Sequence, residues 1–336
     1  MASRTTSVAA ELHDIECIFC GGGAASGIVI EENGFHGRQC HACGLVFVSP
    51  RPSLDDIINL YGHDGAHISA DVHLASGFAK RLYARNSLRI IRKHRKEGDL
   101  LEVGAGAGFF LDEARKAGFN PFAIEFNGIQ ADHIRGVLGI PCASVPLEAA
   151  PFPGQQYDVV YHCDVVSHLH DPIADFGRFN AVLRQDGLMV FETGNIGDMR
   201  LPDFRLFSRF QYPDHLFFFS TRNISQLLES TGFELLEIHR YVILPELLLE
   251  RWRRSIRKWF RGRSGRHPGA GQAPEVQRAH LPTHLGKGGL LQRLKTADQY
   301  VNYLVRYGLG RIYPKGRRPQ TMVIVARKRC TAPQSG

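Results

Sequence analysis

Between Asp99 and Tyr241, short apolar runs that favour strands alternate with helix-length patterns, and no other feature of the chain restricts its fold as tightly. Asp99 to Val103, Phe122 to Phe126, Tyr157 to Tyr161, Gly187 to Glu192 and Phe233 to Tyr241 read as strands. Phe109 to Ala117, Gly128 to Leu138, Ile173 to Leu183 and Ile224 to Ser230 read as the helices between them. Parallel strands need crossover connections of helical length, so this alternation predicts an α/β fold with a mostly parallel sheet and helices on both faces. A final apolar strand, Thr321 to Ala326, stands apart, and residues 246–319, rich in Arg, Gly and His, read as a helical insertion before it. The chain of 336 residues is 43% hydrophobic, enough for one sizeable α/β core with small additions.

The first strand-to-helix junction carries the most chemistry. Leu100-Leu-Glu-Val-Gly-Ala-Gly-Ala-Gly-Phe109 places Gly104, Gly106 and Gly108 between a strand and a helix. Glycines there let a ligand approach the backbone, and the helix start offers unpaired N–H groups to an anionic moiety. The spacing is G-x-G-x-G, not the G-x-G-x-x-G of a dinucleotide site, which argues against a nicotinamide-linked oxidoreductase. Glu125 follows nineteen residues after Gly106, at the end of the next strand. A carboxylate there suits an unphosphorylated ribose, from whose two hydroxyls it can accept hydrogen bonds.

With these features the segment resembles the first motif and acidic loop of class I S-adenosylmethionine-dependent methyltransferases, which have a Rossmann-like fold. The resemblance runs from about residue 98 to 240. It continues through Tyr157-Asp-Val-Val-Tyr161, the loop Val166-Ser-His-Leu-His-Asp-Pro172 and the turn Leu183-Arg-Gln-Asp-Gly-Leu-Met-Val190. Ser167 and Gln185 depart from the glutamate and proline usual in the family. The resemblance implies that Glu102 and the backbone of Gly104, Ala105 and Gly106, with Gly108 behind them, hold the methionine end of S-adenosylmethionine. It implies that Glu125 and Phe126 meet the ribose, that Pro146 and Leu147 lie beside the adenine, and that His162 and Cys163 close the pocket. His168 occupies the family's loop histidine position, and His215, in Tyr212-Pro-Asp-His-Leu216, matches a second family histidine; the two are the candidate general bases. Phe217, Phe218 and Phe219 read as core rather than as an aromatic platform.

Four of the seven cysteines form two C-x-x-C pairs, Cys17 with Cys20 and Cys40 with Cys43. Paired thiols at this spacing read as a tetrahedral zinc site. Four thiolates leave no open coordination position, so the expected role is structural. Cys142, Cys163 and Cys330 stand singly. The division that follows is a zinc-ribbon module over 1–50, a helical connector over 51–97, a cofactor-binding Rossmann-like domain over 98–245, a basic helical insertion over 246–319, and the last strand over 320–330. Within the resemblance, Cys43-Gly-Leu-Val-Phe-Val-Ser-Pro-Arg-Pro52 is similar to the cysteine-rich entry of bacterial sugar, glycan and natural-product methyltransferases. A small-molecule, glycan or lipid-linked acceptor therefore ranks above nucleic acid. An RNA methyltransferase gripping RNA with its ribbon, and a non-catalytic S-adenosylmethionine-binding module, remain the alternatives.

The formal net charge of +8 is concentrated rather than spread. Arg251 to Arg266 holds eight Lys or Arg and no acid, equal to the whole excess. Leu248, Trp252, Ile256, Trp259 and Phe260 recur there at helical spacing. Such a helix suits either an ordinary solvated face or peripheral contact of residues 247–266 with an anionic membrane, and the charge density favours contact. No run is long and apolar enough to span a bilayer, and the first dozen residues are polar, so the expectation is a cytoplasmic protein, peripheral at the inner membrane face if the contact is made.

Overall fold

The computed structural model describes residues 12–21, 26–57, 77–207, 209–263 and 290–330, with only helical backbone for 257–263 and 290–295. The N-terminal part contributes β1 (Leu12–His13), β2 (Ser26–Glu32), β3 (Phe35–Cys40), β4 (Val46–Val48) and β5 (Arg51–Pro52). β2 and β3 form a hairpin whose turn residues, Asn33 (φ 54°) and Gly34 (φ 83°), both adopt the left-handed conformation. Asn-Gly is the pair that such a turn favours, because its twist matches that of the flanking strands.

Helix α1 (Gly77–Ile91) leads into the alternating region. That region comprises β6 (Gly98–Val103), α2 (Phe109–Lys116), β7 (Phe119–Ile124), α3 (Gly128–His133), β8 (Cys142–Ala143), β9 (Tyr157–Cys163), α4 (Pro172–Val182), β10 (Leu183–Gly194), β11 (Phe217–Phe218), α5 (Thr221–Ser230) and β12 (Phe233–Val242). Helices α6 (Leu244–Arg263) and α7 (Leu290–Tyr303) precede β13 (Gln320–Lys328). Seven strands share one sheet in the order β12-β13-β10-β9-β6-β7-β8. β6 pairs in parallel with β7 and β9, β7 with β8, and β9 with β10, while β13 runs antiparallel to both β10 and β12. The chain moves outward through β7 and β8 and then returns across β6 to β9. The crevice between the carboxyl ends of β6 and β9 is thus the topological switch point where open α/β sheets bind ligands.

Both faces of the sheet are covered, and its strands accordingly read as continuous apolar runs. Alternation divides neighbours between two cores. Leu101, Val160, Phe191 and Ile324 pack with Phe176 and Phe179 of α4 and Leu227 of α5. Leu100, Val159, Val190 and Val323 pack with Leu88 and Ile91 of α1 and Leu111 of α2. Phe217, Phe218 and Phe219 are buried, as expected. The first core also contains Cys17, Cys40, Cys43, Leu45 and Phe47. The cysteine-bearing sheet, ordered β11-β4-β3-β2, takes its outer strand from Phe217–Phe218, about 170 residues further along the chain. Gly37 shows how closely the two parts fit, since a Cβ there would lie 2.0 Å from the Tyr212 hydroxyl oxygen.

Local boundaries depart from the sequence pattern in two places near the site. β7 ends at Ile124, before Glu125 and Phe126, because the Glu125 carboxylate turns back to accept from its own loop's Asn127 N–H at 2.8 Å. The helix expected to reach Leu138 is α-helical only to His133 and continues as a π-helical turn, Ile134–Leu138, closed by Gly139 at φ 62°. The insertion, in turn, docks on the domain from its second helix onward. Tyr83 of α1 lies 6.2 Å from Tyr303 and 5.4 Å from Tyr307, ring centre to ring centre, and Tyr241 lies 4.7 Å from Tyr307. Arg306 forms a two-point ion pair with Glu246, and Arg253 pairs with Asp298 at 2.6 Å.

Candidate functional site

At the switch point Gly104, Gly106 and Gly108 have φ values of 70°, 55° and 74°, which L side chains rarely adopt. Space forbids a side chain as well: a Cβ on Gly104 would lie 2.7 Å from Val165, and one on Gly108 2.7 Å from Leu138. The amide of Gly104 donates to Ile124 O at 2.9 Å, tying the glycine turn to the end of β7. Glu125 completes the tie by accepting from the Gly106 N–H at 2.6 Å. Two backbone amides on adjacent loops therefore fix the orientation of this nearly buried carboxylate. Such bonds to a charged acceptor are about twice as strong as neutral ones.

Glu102 lies 4% exposed on β6, and its Oε2 has no hydrogen-bond partner among the described residues. Burial, then the neighbouring Glu125 charge, pushes its carboxyl well above the usual range. A buried acid of this kind is matched by a cationic guest, and the ammonium of a methionine moiety is one. Ala105 is buried beside it, Phe126 is 44% exposed at the crevice edge, and Pro146 and Leu147 begin a short 3₁₀ turn next to β8. Glycine turn, fixed Glu125 and orphaned Glu102 together fit the two ends of S-adenosylmethionine.

The expectation for His162 and Cys163 divides between the two faces of β9. Cys163 lies half-buried on the Glu102 side of the sheet. His162 is corrected: its ring is fully buried on the opposite face, stacked on Phe191 at 5.0 Å and edge-on to Phe176. Neither of its nitrogens has a partner among the described residues, and burial lowers its pKa to about 3, so it is a neutral core residue and not a pocket wall. Strand alternation is the cause, because adjacent β residues point to opposite faces.

His168 and His215 lie 47 residues apart in sequence and meet in space, with ring centres 4.4 Å apart and planes at 72°. Their loops are sewn together by the Leu216 N–H donating to Ser167 O at 2.7 Å. His168 Nδ1 lies 3.0 Å from the Asp214 carboxylate and 3.1 Å from the Asp214 carbonyl. Both neighbours only accept, so Nδ1 carries a proton, and in the neutral ring Nε2 is left with the lone pair. Burial first, and the adjacent His168 second, lower the His215 pKa to about 4, leaving it neutral at pH 7. The other polar residues of the loop are structural in part. Asp171 caps α4 by accepting from the Ala174 N–H, and the His170 carbonyl accepts from Arg51 Nη2 at 3.0 Å, joining the cysteine-bearing part to this loop.

Three residues complete the edge. Asp214 meets His168, 46 residues away in sequence, and local spacing does not signal that acid–imidazole pair. Glu192 lies near the carboxyl end of an apolar strand, as Glu102 does. It is 2% exposed, and its Oε1 accepts from the Tyr307 hydroxyl at 2.8 Å and from Thr321 at 3.1 Å. Tyr307 comes from the insertion, and nothing in its local sequence signals this contact.

The four paired cysteines converge as the spacing predicts, with all Sγ atoms within 4.8 Å of one another. Cys17 and Cys43 Sγ lie 3.5 Å apart. Tetrahedral zinc with Zn–S near 2.3 Å sets its sulfurs roughly 3.8 Å apart, so the cluster is compatible with that ion. Each pair is closed by a tight turn, Gly21 N–H to Cys17 O at 2.9 Å and Gly44 N–H to Cys40 O at 2.8 Å.

A sheet ordered in this way, with one antiparallel strand inserted beside its last parallel one and a glycine turn facing an acid at the switch point, defines a Rossmann-like domain of the class I S-adenosylmethionine-dependent methyltransferase type. Residues 75–238, just under half of the chain, match the family described as methyltransferase domain. Among curated proteins, it is 31% identical over 101 residues to a ubiquinone biosynthesis O-methyltransferase of Bradyrhizobium sp. (strain ORS 278), covering 29% of this chain and 40% of that protein. It is 28% identical over 126 residues to a tRNA U34 carboxymethyltransferase of Saccharophagus degradans, covering 34% and 38%. The matched region thus spans less than half of either relative. Among solved structures, an S-adenosylmethionine-dependent methyltransferase from Thermotoga maritima aligns at a TM-score of 0.45 and 15% identity, covering 77% of this chain and 95% of that one.

Proposed function

We propose that the protein transfers a methyl group from S-adenosylmethionine to a hydroxyl of a sugar, glycan precursor or related small metabolite. The observation that carries this reading is the His168–Asp214–His215 cluster, built from two stitched loops at the carboxyl side of the sheet. When bound, S-adenosylmethionine supplies a methyl group already activated by its sulfonium. The chain's own residues do the remainder. Glu125 and Glu102 orient the donor, and the glycine turn lets it approach the backbone. Asp214 holds His168 in the tautomer whose Nε2 can take the acceptor's proton, and it stabilises the imidazolium that results. Neutral His215 helps position the acceptor beside it. Alignment of this kind can contribute about 7–11 kcal/mol to such a displacement, and the base a further factor of roughly 10²–10⁴.

The similarity of Cys43 to Pro52 to the cysteine-rich entry of sugar and natural-product enzymes supports a small acceptor, and that cysteine cluster is proposed to hold one structural zinc. The acceptor class is tested by incubating the protein with S-adenosylmethionine and, separately, nucleotide-linked sugars, phenols and tRNA, with S-adenosylhomocysteine and methylated product read by mass spectrometry. Product from sugars in the wild type, with turnover at least tenfold lower in His168→Ala at unchanged cofactor affinity, is the expected result. Product only from tRNA or phenols overturns the sugar acceptor. Cofactor binding with no S-adenosylhomocysteine from any acceptor would reduce the domain to a binding module.

A further inference from the structure

The insertion returns to the sheet through a short segment in which cationic and exposed apolar side chains alternate. Residues 304–318 contain five Lys or Arg and no acid. Of these, Arg306 is held by Glu246, whereas Arg311, Lys315 and Arg317 are exposed. Exposed apolar side chains stand between the cations: Leu309 is 50% exposed, Tyr313 38%, and Ile312 78%, the most exposed of the large hydrophobic residues described. The neighbouring start of α6 adds Leu248 and Trp252, one helical turn apart and 50% and 62% exposed.

Backbone contacts fix this segment to a particular edge. Gly310 packs so tightly on the end of β12 that a Cβ would lie 2.6 Å from Val242 O. The Ile243 N–H donates to Pro319 O at 3.0 Å. Asn195, the residue after β10, donates its amide to Arg318 O at 3.1 Å and accepts from the Gln320 N–H at 2.7 Å. β10 and β12 both end here, and β10 carries Glu192. The apolar and cationic tip therefore stands on the same carboxyl edge as the cofactor crevice.

We infer that residues 309–317, with Leu248 and Trp252, dock the protein on an anionic phospholipid surface and turn its catalytic edge toward the bilayer. Interleaved side chains of these two kinds suit a headgroup boundary, where apolar groups enter the acyl region while cations stay at the phosphates. RNA would match the charge but offers nothing to exposed Leu309 and Ile312. The structure also moves the contact relative to the basic run in the sequence. Arg253 faces Asp298 and Asn302, and Arg254 pairs with Glu250, so these two cations are engaged within the protein. Trp259, Phe260 and the cations beyond Ile256 lie outside the described side chains. Among the described residues no helix is long and apolar enough to cross a membrane.

The test is co-sedimentation of the full chain with phosphatidylglycerol vesicles and with phosphatidylcholine vesicles, at low and physiological salt. Two variants are compared: Arg311→Gln with Lys315→Gln and Arg317→Gln, and Leu309→Ser with Ile312→Ser. The wild type is expected to sediment with the anionic vesicles only. Each cation near such a surface contributes roughly fivefold, so the triple variant loses on the order of 100-fold in apparent affinity. The apolar pair is expected to weaken binding at both salts, and cofactor affinity, equal in all three proteins, reports that they are folded. A wild type that ignores anionic vesicles at both salts overturns the inference, as does equal vesicle binding by the wild type and both variants.

Discussion

Glu125 illustrates what a single position can reveal. Its place after the second strand carries the expectation of a ribose ligand, and the fold adds that the Gly106 and Asn127 amides hold its carboxylate in one orientation. Glu125→Ala removes both that anchor and the proposed ribose acceptor, and is expected to weaken S-adenosylmethionine binding by about 1.5–3 kcal/mol in titration calorimetry. Unchanged affinity would remove Glu125 from the site. His162 is the opposite case. The family resemblance places it at the pocket, but the period-two alternation of β9 turns its ring into the phenylalanine-rich core. The pair His168 and His215 was legible as two separate histidines; their 4.4 Å contact was not, because it depends on how two distant loops cross.

Among elements, apolar periodicity marked every strand of the large sheet except the two-residue β8, since strands buried on both faces leave continuous apolar runs. Ends were less visible. The π-helical turn after α3 and the early end of β7 are set by hydrogen bonds of individual residues rather than by periodicity. The cysteine turns are an element whose chemistry follows from spacing alone. About one zinc per chain is expected in metal analysis after reducing purification, and Cys40→Ser should lose it. Because Cys40 and Cys43 belong to the same core as Leu227 of α5, that variant should also lower the melting temperature of the whole domain rather than unfold the N-terminal part alone. Retention of full zinc content by Cys40→Ser would refute the four-thiolate site.

For the whole molecule, the decisive links join parts that are distant in sequence. β11 completes the cysteine-bearing sheet, and Tyr307 carries the insertion to Glu192. Tyr307→Phe leaves Glu192 Oε1 with Thr321 alone, and a buried acceptor deprived of a donor costs about 1–3 kcal/mol. Thermal unfolding should show that loss, and an unchanged midpoint would mean that the insertion is not anchored through this bond. By itself the sequence determined the α/β class, the glycine turn with its facing acid, and the grouping of four thiols, because each is written in local periodicity or short spacing. Only the tertiary structure decided that β13 enters antiparallel between β10 and β12, that Asp214 joins two histidines, and that the cationic tip stands at the catalytic edge. Those outcomes depend on long-range packing and strand order, and neither leaves a periodic trace in the residues that take part.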